Sequence, residues 1–150
     1  MNAISRIHRS AEIHHPAEVD PTASIGAGVL IGRNVRIGAG ARIGRGSLVD
    51  EGAIIGRETW LAGVVLVEPW AIVDHRVCLG SDTWVARQAV VLSGAVIGAH
   101  SIVRARAIIG FGIELPEGTI IESGVQLFDP VPERRAEDSV FVEMKALEVA

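Results

Sequence analysis

An aliphatic residue recurs at every sixth position over most of this 150-residue chain. The repeat begins at Ile7 and ends at Leu127, and no residue is inserted or lost between them. A small residue stands two positions before most of these aliphatic residues. Glycine, asparagine or aspartate often stands three positions after them, as at Gly28, Asn34 and Asp82. A short fixed period of this kind is typical of a solenoid.

A six-residue unit is best explained by a short strand followed by a tight turn, because neither helix periodicity nor strand periodicity repeats every six residues with glycine at one phase. The aliphatic side chain points inward, and the small residue fits inside the bend. The residue at the corner adopts a positive φ, which glycine and asparagine tolerate best. We therefore predict an all-β solenoid over residues 7–128.

This repeat resembles that of the hexapeptide-repeat proteins. The resemblance implies a left-handed parallel β-helix of triangular cross-section, with three hexads in each coil. It implies about seven coils within a single domain at residues 1–130. The handedness is an implication of the resemblance and not of the spacing, since crossovers between parallel strands are normally right-handed.

The last twenty residues follow a proline-containing segment that ends the repeat, because proline cannot donate to a strand ladder. In residues 131–150, Val140, Met144 and Leu147 stand at helical spacing with charged residues between them. We predict an amphipathic helix that packs against the prism as part of the same domain. A strand through Ser139–Met144 is the alternative.

Four successive corner positions carry no glycine, asparagine or aspartate: Glu58, Val64, Trp70 and Arg76. Three corners make one coil, so about one coil departs from the rule. Either these corners adopt another turn type, or the side chains are needed there, since exceptions to a local rule concentrate at functional sites. Both interpretations are open at this point.

Composition excludes several function classes. The formal net charge is −4 and no basic run is present, which argues against nucleic acid or an anionic membrane as a partner. A single cysteine, Cys78, excludes an internal disulfide framework and a metal site built from several cysteines. The sequence contains no stretch of about 20 apolar residues and no targeting segment. We expect a soluble cytoplasmic protein that binds no membrane.

Two outward faces of the predicted prism are apolar. The residue before each inward aliphatic residue points outward, and stacked coils repeat it every eighteen residues. Such faces are too large for an exposed surface, so we predict a homotrimer packed around a closed threefold axis. The first face holds Leu30, Leu48, Leu66, Trp84, Ile102 and Ile120, and the second holds Arg36, Ile54, Ile72, Val90, Ile108 and Gln126.

The segment from Ala71 to Asp82 resembles the part of bacterial β-helix sugar N- and O-acetyltransferases that carries their general-base histidine. The resemblance implies that His75 takes a proton from the acceptor amine or hydroxyl as it attacks the thioester of acetyl-CoA. Histidine suits this role because an imidazole exchanges protons near neutral pH. Asp74 or Glu68 is expected to orient the ring or to stabilise its charge.

Further candidates surround this segment. Arg76 and Arg57 are candidate substrate-binding residues, and Trp70 and Trp84 are expected to anchor an interface or to form the wall of a slot for substrate or pantetheine. The expected acyl donor is acetyl-CoA, the expected acceptor is a small molecule or a sugar, and no metal is expected.

Two other functions remain. A non-catalytic trimeric scaffold is favoured by the unbroken hexads, which leave no room for an extruded substrate loop. The γ-class carbonic anhydrases share the implied fold and bind zinc through three histidines at a subunit interface. Two of those histidines are five residues apart in that class, whereas here Gly80 follows His75 at that distance. His15, His75 and His100 are predicted on three different corners, so a zinc site would need ligands such as Glu68 or Asp74 from another chain.

Overall fold

The computed structural model describes residues 6–128 and a two-residue strand at 141–142. Within these residues every strand is two residues long, and a four-residue corner separates most consecutive strands. The strands are β1 (Glu12–Ile13), β2 (Glu18–Val19), β3 (Ser24–Ile25), β4 (Leu30–Ile31), β5 (Arg36–Ile37), β6 (Arg42–Ile43), β7 (Leu48–Val49), β8 (Ile54–Ile55), β9 (Trp60–Leu61), β10 (Leu66–Val67), β11 (Ile72–Val73), β12 (Cys78–Leu79), β13 (Trp84–Val85), β14 (Val90–Val91), β15 (Val96–Ile97), β16 (Ile102–Val103), β17 (Ile108–Ile109), β18 (Glu114–Leu115), β19 (Ile120–Ile121), β20 (Gln126–Leu127) and β21 (Phe141–Val142).

Each strand up to β17 pairs in parallel with the strand eighteen residues further along the chain. This pairing makes three sheets, in the orders β1-β4-β7-β10-β13-β16-β19-β21, β2-β5-β8-β11-β14-β17-β20 and β3-β6-β9-β12-β15-β18. Leu66 lies opposite Leu48 on one side and Trp84 on the other, which is the predicted register. Strands β1 to β20, three to a coil, make six full coils and most of a seventh. The predicted parallel β-helix is confirmed, and its geometry is consistent with left-handed winding.

The interior of the prism is filled by the inward aliphatic residues. Ile31, Ile55 and Leu61 are at most 1% exposed. Each such side chain contributes on the order of 1.5–3 kcal/mol through its removal from water. Five buried hydroxyl residues interrupt this aliphatic interior, and every buried side-chain polar atom in the described residues has a hydrogen-bond partner. These five are Ser47, Thr59, Thr83, Ser101 and Thr119.

The residue at each of the four exceptional corners has a positive φ, as the glycine at a typical corner does. Their φ angles are 55° at Glu58, 52° at Val64, 65° at Trp70 and 55° at Arg76. At Glu58, Trp70 and Arg76 the interpretation that the corner adopts another turn type is therefore not supported, whereas the Val64 corner does differ, because Gly63 before it also has a positive φ, of 158°. A non-glycine residue in this left-handed region costs roughly 1–2 kcal/mol, and β-branched Val64 is the least suited to it. Gln88, His100 and Arg106 have the same conformation, with φ of 58°, 59° and 62°, so this cost is not confined to the four corners and does not by itself assign them a function.

The tail differs from the predicted helix where it can be compared. Most of residues 131–150 lie outside the described part of the chain. The two that are described, Phe141 and Val142, form β21, which pairs in parallel with β19 so that Phe141 is opposite Ile120. At these two residues the alternative, a strand within Ser139–Met144, is the one observed. No helix in the described residues is long and apolar enough to cross a lipid bilayer.

Candidate functional site

His75 lies at the corner between β11 and β12, which comprises residues 74–77. The Asp74 carboxylate shapes the start of this corner, because its Oδ1 accepts the backbone N–H of His75 at 2.8 Å. This short-range bond is typical of aspartate at the start of a turn. It leaves the His75 side chain 48% exposed, so the imidazole is accessible from solvent.

The imidazole is held by the coil below it. The backbone N–H of Arg57, eighteen residues earlier, donates to His75 Nδ1 at 3.0 Å. Because Nδ1 accepts this bond, the neutral ring carries its proton on Nε2. Nε2 lies 3.6 Å from Asp74 Oδ1, so Asp74 stabilises a proton at that atom. The structure therefore brings His75, Asp74 and Arg57 together.

Gly56 makes the close approach of His75 possible. A Cβ atom at this position would lie 2.6 Å from His75 Nδ1 and 2.6 Å from the His75 backbone nitrogen. Real Cβ atoms do not come this close to backbone, so the corner that carries His75 requires glycine directly below it. The glycine at position 56 thus allows the bond between Arg57 and the ring.

Two arginines flank the ring. Arg57 lies directly below His75, and Arg76 occupies the positive-φ position beside it, with the Arg76 N–H donating to the Arg57 carbonyl at 2.9 Å. Both side chains are exposed, and neither makes an ion pair with a residue in the described part of the chain. This corner therefore carries an imidazole and two exposed arginines on adjacent residues and coils, and guanidinium groups are well suited to bind phosphate.

Glu68 and Trp70 lie on the neighbouring corner, before β11. Glu68 Oε1 accepts the backbone N–H of Arg87 at 3.0 Å, so its carboxylate is bonded to the same corner of the next coil and not to the corner that carries His75. The indole of Trp70 lies across Gly52, where a Cβ atom would be 2.3 Å from the ring, and it is 56% exposed. Neighbouring corners of such a prism are roughly 15–20 Å apart. One chain therefore does not unite these two residues with His75.

Trp84 lies on the outer face of the first sheet, 40% exposed, at the wall of a shallow groove of about 290 Å³. Arg104 Nη1 lies in this groove, 3.4 Å from Glu122 Oε2 on the next coil. Arg104 and Glu122 were not among the residues predicted from sequence, although their separation of eighteen residues, one coil, indicates that they are neighbours on adjacent coils. The groove residues are Trp84, Ala86, Ile102, Arg104, Ala105 and Ser123.

The histidines do not form a metal centre within the described part of one chain. There, no group of three histidine, cysteine, aspartate or glutamate side chains is close enough to hold a metal ion. His100 lies on a different corner from His75, with its Nδ1 3.5 Å from Asp82 Oδ2. A site shared between chains would need ligands that a single chain does not bring together.

Residues 7–91 match the family model described as the GMPPB C-terminal domain. This match covers more than half of the chain. The chain belongs to the GMPPB C-terminal domain family. Membership in this family and the strand pattern confirm the predicted relationship to hexapeptide-repeat proteins. No curated protein sequence matches the chain.

Several solved structures resemble this member of the family. A histidine-to-asparagine variant of perosamine N-acetyltransferase from Caulobacter crescentus, in complex with CoA and GDP-perosamine, is 27% identical with a TM-score of 0.70, over 73% of this chain and 51% of that one. The acetyltransferase domain of PglB from Neisseria gonorrhoeae, in complex with acetyl coenzyme A, is 22% identical with a TM-score of 0.72, over 81% and 58%. WeeI from Acinetobacter baumannii AYE is 18% identical with a TM-score of 0.60, over 75% and 51%. The chain thus spans half to three fifths of the length of these structures, and the latter two establish the shared fold alone.

Proposed function

We propose that the protein is a cytoplasmic CoA-dependent acetyltransferase that acts on an amine or hydroxyl of a sugar or other small molecule, in a site between subunits of a homotrimer. One observation carries this proposal. A solvent-accessible histidine, paired with an aspartate and flanked by two arginines, lies at a corner of a β-helix that is 27% identical to a perosamine N-acetyltransferase crystallised with CoA.

The proposed reaction needs few groups from the protein. The acceptor nitrogen or oxygen attacks the thioester carbonyl of acetyl-CoA, a new C–N or C–O bond forms, and the C–S bond breaks. The proton that leaves the acceptor passes to His75, which returns it to the CoA thiolate. A positioned base of this kind contributes roughly 10²–10⁴-fold to the rate, and correct placement of the two reactants contributes further.

The ring must change one hydrogen bond to act as this base. In the observed state the available lone pair, at Nδ1, is occupied by the Arg57 N–H. We propose that rotation about the Cβ–Cγ bond exchanges that bond for one to the acceptor, so that Nδ1 takes the proton. The Asp74 carboxylate then stabilises the charged ring. Catalytic hydrogen bonds often reach their final geometry only when substrate is bound.

The arginines and the groove supply candidate contacts for the two substrates. We assign Arg57 and Arg76 to the phosphate groups of a nucleotide-linked sugar or of CoA, since guanidinium groups bind phosphate through paired hydrogen bonds. We assign the groove at Trp84 to the pantetheine arm, because Trp84 and Ile102 give it an apolar wall. Glu68 and Trp70 lie at the corner beside this groove.

The positions of these residues support a site shared between subunits. The candidate residues lie on two corners and one face of the chain, and they form one site only if the His75 corner of one copy meets the Trp70 corner of another. The outward faces are apolar and in register, with Leu66, Trp84 and Ile102 on adjacent strands. A closed ring of three copies would bury most of these faces, with the groove at Trp84 left open where two copies meet, and would build three equal sites.

Binding of CoA to the native protein provides the first test. We expect CoA or acetyl-CoA, at about 100 times its dissociation constant, to add roughly 2.7 kcal/mol to the free energy of unfolding and so to raise the thermal midpoint. The His75→Ala variant should show the same shift, because His75 acts on the acceptor, whereas Trp84→Ala should show a smaller one. The measurement is thermal unfolding with and without ligand, after metal analysis of the same preparation. If metal-free native protein shows no shift, the proposal is contradicted. If the protein shows no shift and contains one zinc per subunit, the alternative of a zinc enzyme similar to the γ-class carbonic anhydrases is supported.

A non-catalytic scaffold is the second candidate, and a specific observation favours it. His75 Nδ1 accepts a backbone N–H from the adjacent coil, as several hydroxyls in the prism do. For example, Gly28 N–H donates to Ser10 Oγ and Gly40 N–H to Thr22 Oγ1, both at 2.9 Å. A histidine used only in this way would stabilise the stack of coils without chemistry. If the protein is a scaffold, we expect that no second subunit contacts the His75 corner in the trimer and that CoA does not bind.

A further inference from the structure

The His75 corner is closed in a different way from most corners of the prism. In a typical corner the amide of the fourth residue donates to the carbonyl of the first, as Ala71 does to Glu68 at 3.2 Å and Ala95 to Leu92 at 3.3 Å. In the His75 corner the fourth residue is Val77, and its N–H donates to the Thr59 hydroxyl of the coil below at 3.4 Å. The Thr59 hydroxyl also donates to the carbonyl of Asp74 at 2.6 Å. Two other corners are closed by a hydroxyl of the coil below, by Ser47 below Val65 and by Ser101 below Thr119, but neither of them carries a histidine.

Thr59 therefore connects the first and last residues of the segment that carries His75. It is fully buried, so water cannot replace these bonds if the hydroxyl is removed. Thr59 is also the exception in its stack, because the residues at the same position in the other described coils lack a hydroxyl. Those residues are Ala23, Ala41, Val77, Ala95 and Ile113.

Thr59 acts together with Arg57. The two residues lie on either side of the corner position Glu58, and both bond to the coil above. Arg57 bonds to the His75 ring, and Thr59 bonds to the backbone of Asp74 and Val77. With the bond from the Arg76 N–H to the Arg57 carbonyl, segment 57–59 fixes the position of both the ring and its backbone.

We propose that Thr59 is a positioning residue for His75. The proposal rests on the proposed function for its effect on rate. The hydroxyl sets the backbone geometry of the corner, which in turn sets where the imidazole meets the acceptor. Small displacements of a catalytic group, of the order of 1 Å, lower rates by as much as about a hundredfold.

The test compares Thr59→Val with a matched substitution elsewhere. Thr83 is a second buried threonine, and its hydroxyl donates to the carbonyls of Gly80 at 2.6 Å and Gly98 at 3.4 Å on a different corner. We expect both valine variants to unfold at lower temperature than native protein, because each loses a buried hydroxyl bond. Only Thr59→Val should lower kcat, by about tenfold to a hundredfold, with little change in KM for acetyl-CoA. Thr59→Ser should restore kcat, since serine keeps the hydroxyl.

A spectroscopic measurement separates this inference from the proposed function. The ¹⁵N signals of the His75 ring, assigned by their loss in His75→Asn, should shift in Thr59→Val and stay unchanged in Thr83→Val. If native protein transfers no acetyl group and these signals still shift, the positioning role stands and the proposed function falls. If folded Thr59→Val has the native ring signals and the native kcat, the positioning role is overturned.

Discussion

The His75→Asn variant should lose about 10²–10⁴-fold in the rate of acetyl transfer while keeping native stability. The asparagine side chain has an oxygen near the position of Nδ1, so it can still accept the Arg57 N–H that the imidazole accepts at 3.0 Å. It offers no basic nitrogen, so proton transfer is lost and the contact between coils is kept. Release of CoA thiol measures the rate, and thermal unfolding measures the stability.

Two further variants show that the loss comes from chemistry at this corner. His75→Ala removes both the base and the acceptor for Arg57, so it should be equally inactive and about 1 kcal/mol less stable. His100→Asn changes an exposed histidine on another corner and should leave the rate unchanged. A His75→Asn protein with a rate within threefold or so of native protein would contradict the assignment of the base, since a general base contributes far more than that.

Mixed oligomers should recover activity from two inactive proteins. His75→Asn damages one corner, and Trp84→Ala damages the groove that we assign to the acyl donor. If each site combines the corner of one subunit with the groove of the next, every trimer that contains both variants has one intact site, and about one third of native activity returns. The measurement uses coexpressed subunits with two different tags, purified through both, assayed at an acetyl-CoA concentration at which Trp84→Ala alone is inactive.

The control for this experiment is a mixture in which both subunits carry a defect on the same corner. Trimers that contain His75→Asn and His75→Ala have no intact site and should stay inactive. If activity returns in the mixture of His75→Asn with Trp84→Ala, and not in the mixture of His75→Asn with His75→Ala, the site is shared between subunits. If the mixture with Trp84→Ala stays as inactive as the control, each site lies within a single chain.

The unbroken period made most of the fold predictable from sequence. Because no residue is inserted between Ile7 and Leu127, the residue eighteen positions away is always the neighbour on the next coil. That rule predicted the parallel pairing of Leu66 between Leu48 and Trp84, and it placed His75 on a corner. It also identified the exceptional corners, although their shared positive φ became clear only in the structure.

The details of the site depend on atoms that the period does not specify. The repeat places Arg57 below His75, but side-chain torsions decide that Nδ1 faces the Arg57 amide. The role of Thr59 also cannot be predicted from the repeat, because threonine at that position fits the pattern as one more small residue that points inward. In the tail the helix was predicted first and the strand only as the alternative. Val140, Met144 and Leu147 stand at helical spacing, whereas pairing with an open sheet edge favours a strand at Phe141 and Val142.

Transfer of the acetyl group by the native protein is the most direct test of the central claim. Native protein is incubated with acetyl-CoA and a panel of nucleotide-linked sugars that carry a free amine or hydroxyl, and both free CoA thiol and acceptor mass are measured. We predict that at least one acceptor gains one acetyl group for each thiol released, and that His75→Asn forms this product at least about a hundredfold more slowly at the same enzyme concentration. Thiol release without an acetylated acceptor, or no release from protein that binds CoA, would contradict the proposed function.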